Sequence, residues 1–156
     1  MTNITSSLPG RPGGAVEIPI QIINLEGNGF HPLVEVVVFG KPFTVVLDTG
    51  ASRTTFDKAT IYEANSQAAF HETDELSTGL GTNSMSSAKL ILHNLYVGQF
   101  HIPEQEIAVI DLSHIRLAYS QLNLPPILGV LGGDILMRYQ AVIDYGKSIM
   151  LLRGDL

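Results

Sequence analysis

The sequence predicts a predominantly β fold interrupted by one or two short helices. Three observations carry this reading. Apolar and β-branched residues recur in short runs of strand length, glycine-bearing turns join several of these runs, and only one segment keeps helical spacing for two turns.

Residues 1–15 are rich in Ser, Pro and Gly and can bury too little apolar surface to offset the entropy of ordering, so they read as a flexible N-terminal tail. From Val16 the texture changes to β-rich runs: "VEIPIQIINL", "LVEVVVFG", "KPFTVVLD", "AKLILHNLYVG", "QEIAVIDL", and finally "QAVIDY" and "SIMLL". "FGKP" and "DYGK" each separate two runs and read as hairpin turns, which implies mostly antiparallel pairing. The stretch "FDKATIYEANSQAAF" has helical composition but poor periodicity. In "SHIRLAYSQLN", by contrast, Ile115, Ala118, Tyr119 and Leu122 fall at i, i+3, i+4 and i+7, with Ser113 as the expected cap and Pro125 and Pro126 as the stop. A further short helical stretch follows Asp134, before the last hairpin. No repeat of solenoid or propeller length is visible, so residues 16–156 read as a single domain.

A chain of 156 residues, 45% of them hydrophobic, can build one core without staples. Having no Cys, it cannot form disulfides, a thiolate nucleophile or a Cys-ligated zinc site. A net charge of −6 argues against a nonspecific grip on nucleic acid, which needs clustered Lys and Arg. No apolar run approaches the roughly 20 residues of a spanning helix, and "MTNITSSLPGRPGG" lacks the apolar core of a signal peptide. No membrane contact is therefore evident, and a cytoplasmic location is expected if the chain is complete.

The segment "TVVLDTGAS" poses the chemical question. Val45, Val46 and Leu47 form an apolar strand that delivers Asp48 to its carboxyl end, where an isolated carboxylate costs several kcal/mol unless it is hydrogen-bonded or protonated. Asp, Thr and Gly also favour plain turns, so the triplet alone is weak. A second unusual segment, "ILGVLGGDILMRYQAVIDY", brings an apolar run onto two glycines and Asp134; glycines there permit close backbone approach.

Taken together, "VVLDTGAS", a glycine-bearing segment at "LSTGLGTNS" and the late "VLGGDIL" resemble the retropepsin-like aspartic proteases, most nearly their single-domain cellular and bacterial members. The resemblance covers residues 17 to 153. It implies a closed β barrel acting as a homodimer on protein or peptide substrates, with no cofactor and no metal. Asp48 would be the catalytic acid, flanked by Thr49, whose hydroxyl braces the paired loops, and Gly50. Ala51 and Ser52 would contact substrate, and Gly79, Leu80 and Gly81 would lie near the tip of a flap that closes over it. Val130, Leu131 and Gly132 would form a ψ-shaped crossing of strands behind the Asp48 loop. Viral members carry an arginine after the glycine of that signature. This chain has Gly133 and then Asp134, so their salt bridge does not transfer, and Asp134 is expected to cap the short helix. Pepsin-like relatives often carry serine where Ala51 stands.

Because only one D-T-G occurs, the second carboxyl of an acid pair is expected from Asp48 of another copy; Asp111 in "VIDL" and Asp144 in "VIDY" read as strand-end residues. Competing motifs are poorer. "GKS" at 146–148 lacks the upstream glycine of a phosphate loop, "GLG" lacks the spacing of a dinucleotide loop, and the "RGD" at 153–155 fits an exposed terminus. His31, His71, His93, His101 and His114 show no metal-binding spacing, and no G-x-S-x-G supports a serine nucleophile. The rival reading is a catalytically inactive member of the same fold that binds peptides or dimerises.

Overall fold

The computed structural model describes residues 14–154 apart from 26, 28, 69 and 78–84, and gives no side-chain placement for 71–77, 85 and 86. The expected flap residues Gly79, Leu80 and Gly81 lie outside the described residues, as do 1–13 of the expected tail.

The run "VEIPIQIINL" becomes two strands, β1 (Ala15–Pro19) and β2 (Gln21–Asn24), which enter different sheets. β1 begins at Ala15, the last residue read as tail, which pairs with Arg153. β3 (Phe30–Val38) and β4 (Lys41–Leu47) form the first expected hairpin. Its two-residue turn places Phe39 at φ 53° and Gly40 at φ 73°, the left-handed pair that matches the strand twist. β5 (Thr55–Asp57) leads into α1 (Lys58–Ala64), far shorter than its helical composition suggested. Asp57 caps α1, its Oδ2 accepting from the backbone N–H of Thr60 at 3.0 Å.

β6 (His71–Ser77), β7 (Met85–Val97) and β8 (Phe100–Ile110) run antiparallel in succession. α2 (Ser113–Gln121) occupies the segment with helical periodicity. Its cap differs from expectation: Ser113 is the first helical residue, and its N–H donates to Asp111 Oδ1 at 2.9 Å. The acid two residues upstream therefore does what the Ser113 hydroxyl was expected to do. β9 (Ile127–Leu131), α3 (Gly133–Arg138), β10 (Val142–Asp144) and β11 (Ile149–Arg153) complete the chain. The "GKS" residues fall in the β10–β11 turn, where Lys147 N–H donates to Asp144 Oδ1 at 2.9 Å.

β1, β11 and β10 form a three-stranded sheet, and the remaining strands form an eight-stranded one. Within the larger sheet the pairings β3–β4–β9–β5–β8–β7 return to β3 as a ring, with a β7–β3 seam only two residue pairs long, Val36 with Val97 and Val37 with Tyr96. Inward residues of the ring, among them Val36, Val45, Phe56, Leu92, Ile102 and Leu131, are at most 1% exposed and supply the core on which the loops at its ends are fixed.

β9 runs between β4 and β5, parallel to the first and antiparallel to the second. A late strand thus inserts between two early ones that are separated in sequence only by the Asp48 loop. The insertion demands glycine: a Cβ at Gly129 would lie 2.0 Å from the carbonyl oxygen of Thr55.

Candidate active site

The Asp48 loop spans residues 48–54 between β4 and β5 and is attached to β9 and α3, and at its exit to β8, where Ala108 N–H donates to Thr54 O at 3.0 Å. Asp48 N–H donates to Leu131 O at 3.0 Å, which extends the β4–β9 pairing by one residue. The carboxylate is partly exposed and turns back on its own loop, with Oδ1 accepting from Gly50 N–H at 2.9 Å. Among the described residues no hydrogen bond reaches Oδ2. A Cβ on Gly50 would meet Oδ1 at 3.4 Å, an ordinary van der Waals contact. Thr49 and Ser52 are exposed, and Thr49 makes no hydrogen bond through its hydroxyl among the described residues.

Ala51 holds the far side of the turn: its N–H donates to Asp48 O at 3.2 Å and its carbonyl accepts from Gly133 N–H at 2.7 Å. Gly132 is buried against the same loop. A Cβ there would stand 2.7 Å from both the carbonyl carbon and the oxygen of Arg53, and 2.9 Å from Ala51 O. Val130 pairs on one side with Val46 and on the other with Thr55, while Leu131, fully buried, sits beside Leu47. The structure thus brings Asp48, Thr49, Gly50, Ala51 and Ser52 together with Val130, Leu131 and Gly132.

Two residues that the sequence reading missed or assigned differently tie this crossing together. Thr54 is completely buried. Its hydroxyl donates to Asp134 Oδ1 at 2.7 Å and accepts from Gly132 N–H at 3.0 Å, and its backbone N–H donates to the same Asp134 oxygen at 2.9 Å. Asp134 was expected to cap α3. The N-cap position is instead Gly132, and Asp134 lies in the first turn, where Oδ1 also accepts from Ile135 N–H at 2.8 Å. One carboxylate oxygen therefore locks the helix start to the exit of the Asp48 loop. Thr54 gave little warning in the sequence, because "SRTT" reads as an undistinguished polar loop until β9 is known to lie beside it.

Asp57, also absent from the sequence reading of the site, is fully buried at the end of β5. Its oxygens accept from Thr60 N–H and Oγ1, from Leu112 N–H at 2.8 Å and from the Arg116 guanidinium at 3.0 Å, joining β5 and α1 to α2. Burial raises the pKa of this carboxyl, but the hydrogen bonds from Thr60 and Leu112 and the Arg116 charge outweigh it, and the net shift is downward. A second link to α2 comes from β3, where His31 Nδ1 and Tyr119 OH are 2.6 Å apart.

The chain matches the family model described as aspartyl protease over residues 34–135. No curated protein matches it. Among solved structures it is similar to EIAV protease complexed with the inhibitor HBY-793, at 23% identity and TM-score 0.52, covering 74% of this chain and 90% of that one. It is also similar to a retropepsin-like aspartic protease from Rickettsia conorii, at 18% identity and TM-score 0.52 over 89% of this chain and 88% of that one. A third likeness is to the retroviral protease-like domain of Ddi1 from Leishmania major, at 14% identity and TM-score 0.54, covering 77% and 86%. These likenesses show a retropepsin-like fold.

Proposed function

The chain belongs to the aspartyl protease family, and on that premise we propose that it is an aspartic endopeptidase whose active site is completed by Asp48 of two copies. The observation that supports this most directly is the state of Asp48. The carboxylate ends a strand whose inward residues Val45 and Leu47 are buried and is held on one oxygen by Gly50, while its other oxygen accepts no hydrogen bond among the described residues.

Two carboxyl groups about 3 Å apart cannot both ionise easily, so a pair shares one proton. The ionised member takes a proton from a bound water as that water attacks the scissile carbonyl carbon, and the protonated member gives its proton to the carbonyl oxygen. Collapse of the resulting diol breaks the C–N bond, with a proton passing to the leaving amine. The chain's own contribution is positioning. Leu131 O fixes the Asp48 backbone, and the Thr54–Asp134–Gly132 cluster keeps the loop exit from shifting. In the dimer the exposed Thr49 hydroxyls brace the two loops, and Ala51 and Ser52 border the substrate strand.

Incubating the protein with a diverse peptide library across about pH 4 to 8, with and without pepstatin, tests this reading. Cleavage that the inhibitor blocks is the expected result. Cleavage insensitive to pepstatin, or none at any pH, would overturn it.

A further inference from the structure

The strand registers align a row of residues across the sheet at the level of Asp48. Continued one or two residues past their last pairs, they set Asp48 beside Gly132, Gly132 beside Arg53, and Arg53 beside Glu106. Neighbouring strands lie about 4.8 Å apart, so the Arg53 backbone stands about 10 Å from that of Asp48. That backbone is fixed, since Gly132 packs on its carbonyl group and Thr54 is clamped to Asp134.

The Arg53 side chain is by contrast little committed. It is 54% exposed, and its guanidinium reaches Glu106 Oε1 only at 3.8 Å. The same oxygen lies 3.8 Å from Lys89 Nζ. Two cations thus share one half-exposed carboxylate, at separations too long for good hydrogen bonds, in a chain whose net charge is −6. A structural role would call for a short contact to a buried partner, such as that of Arg116 with the buried Asp57 at 3.0 Å.

We propose that Arg53, with Lys89 behind it, selects substrates that carry a carboxylate side chain two or three residues from the cleaved bond. This inference rests on the protease reading and adds a substrate class to it. An extended peptide advances about 3.3 Å per residue, so a segment with its scissile carbonyl at Asp48 presents its second or third side chain to the guanidinium. The planar guanidinium matches a carboxylate in two-point contact, and the incoming acid takes the position that Glu106 holds loosely, while Lys89 retains Glu106. A lysine at that substrate position meets like charge.

One cleavable peptide, made with Glu, Gln or Lys at the second and third positions from the scissile bond, is compared by kcat/KM. The same set is compared by binding to Asp48→Asn chains, where no bond is broken. The expected result is a preference of roughly fivefold for Glu over Gln at low salt, reduced as ionic strength rises. Arg53→Gln abolishes the preference and Glu106→Gln increases it; loss of a merely structural ion pair would move both variants the same way. Equal handling of the Glu and Gln peptides by the parent, or a preference that survives in Arg53→Gln, overturns the proposal. Glu-selective binding without cleavage of any peptide supports Arg53 recognition and counts only against the protease reading.

Discussion

At Asp48 the backbone and the side chain answer to different constraints, and substitutions can separate them. The backbone N–H is fixed by Leu131 O and the carboxylate by Gly50 N–H, and asparagine can keep both bonds. What asparagine cannot do is accept a proton. Asp48→Asn is therefore expected to lower kcat/KM on a cleaved peptide by at least about two orders of magnitude, with a thermal midpoint close to that of the parent. Full peptidase activity in the purified variant would remove Asp48 from the mechanism. Ala51 offers a finer probe, because pepsin-like relatives often carry serine there, whose hydroxyl would donate to an ionised pair, and its backbone is already pinned between Asp48 O and Gly133 N–H. Ala51→Ser should extend activity toward acid by up to about one pH unit. An optimum displaced upward in a kcat/KM profile would contradict this picture of the pair.

Asp57 links three elements, and its replacement should be felt as stability more than as chemistry. Asparagine keeps one acceptor oxygen but turns an NH2 group toward either the Arg116 guanidinium and Thr60 or the Leu112 N–H, so Asp57→Asn should cost about 2 kcal/mol at neutral pH. The pKa of Asp57 is lowered from its ordinary value of 3.8 in the folded chain. The stability this shift contributes is present above that value and lost as pH falls through the lower, folded pKa. Unfolding by urea should therefore show a gap between parent and variant that is wide near about pH 7 and narrows toward about pH 2. A gap that stays constant would mean that the ionised form of Asp57 is not what joins α2 to β5. Legibility in the sequence divides along the same line between local and long-range features. The β3–β4 and β10–β11 hairpins and α2 could be read because glycine turns and i, i+3, i+4 spacing are local signals. The insertion of β9 between β4 and β5 leaves no periodicity, and only the resemblance carried by "VLG" pointed to it. The Thr54–Asp134 clamp spans 80 residues and the Asp57–Arg116 pair 59, so neither could be read from neighbours in the chain.

In the whole molecule the proposed two-carboxyl chemistry ties activity to association. Asp57 is buried against α2, Asp134 is bound to Thr54, Asp111 accepts from Ser113 N–H, and Asp144 accepts from Lys147 N–H. Each of these four carboxylates already holds part of the fold together, so none of the four is free to become the partner of Asp48. A site that holds a single carboxyl can supply either a base or an acid, and the proposed reaction needs both at once. Activity per chain should therefore rise with protein concentration until dimers saturate, since the folded monomer and the dimer are linked by mass action. Mixing the parent with excess Asp48→Asn chains should suppress activity as subunits exchange, because each mixed dimer holds one carboxyl and one amide. The kcat/KM profile of the saturated dimer should be bell-shaped, as the fully protonated pair lacks the base and the fully ionised pair lacks the acid. These limbs belong to the pair and not to either residue, so neither should appear in the mixed dimer. Sedimentation alongside the rate measurements provides the check: activity per chain that is independent of concentration, in samples that sediment only as monomers, would show that a single copy of this fold suffices.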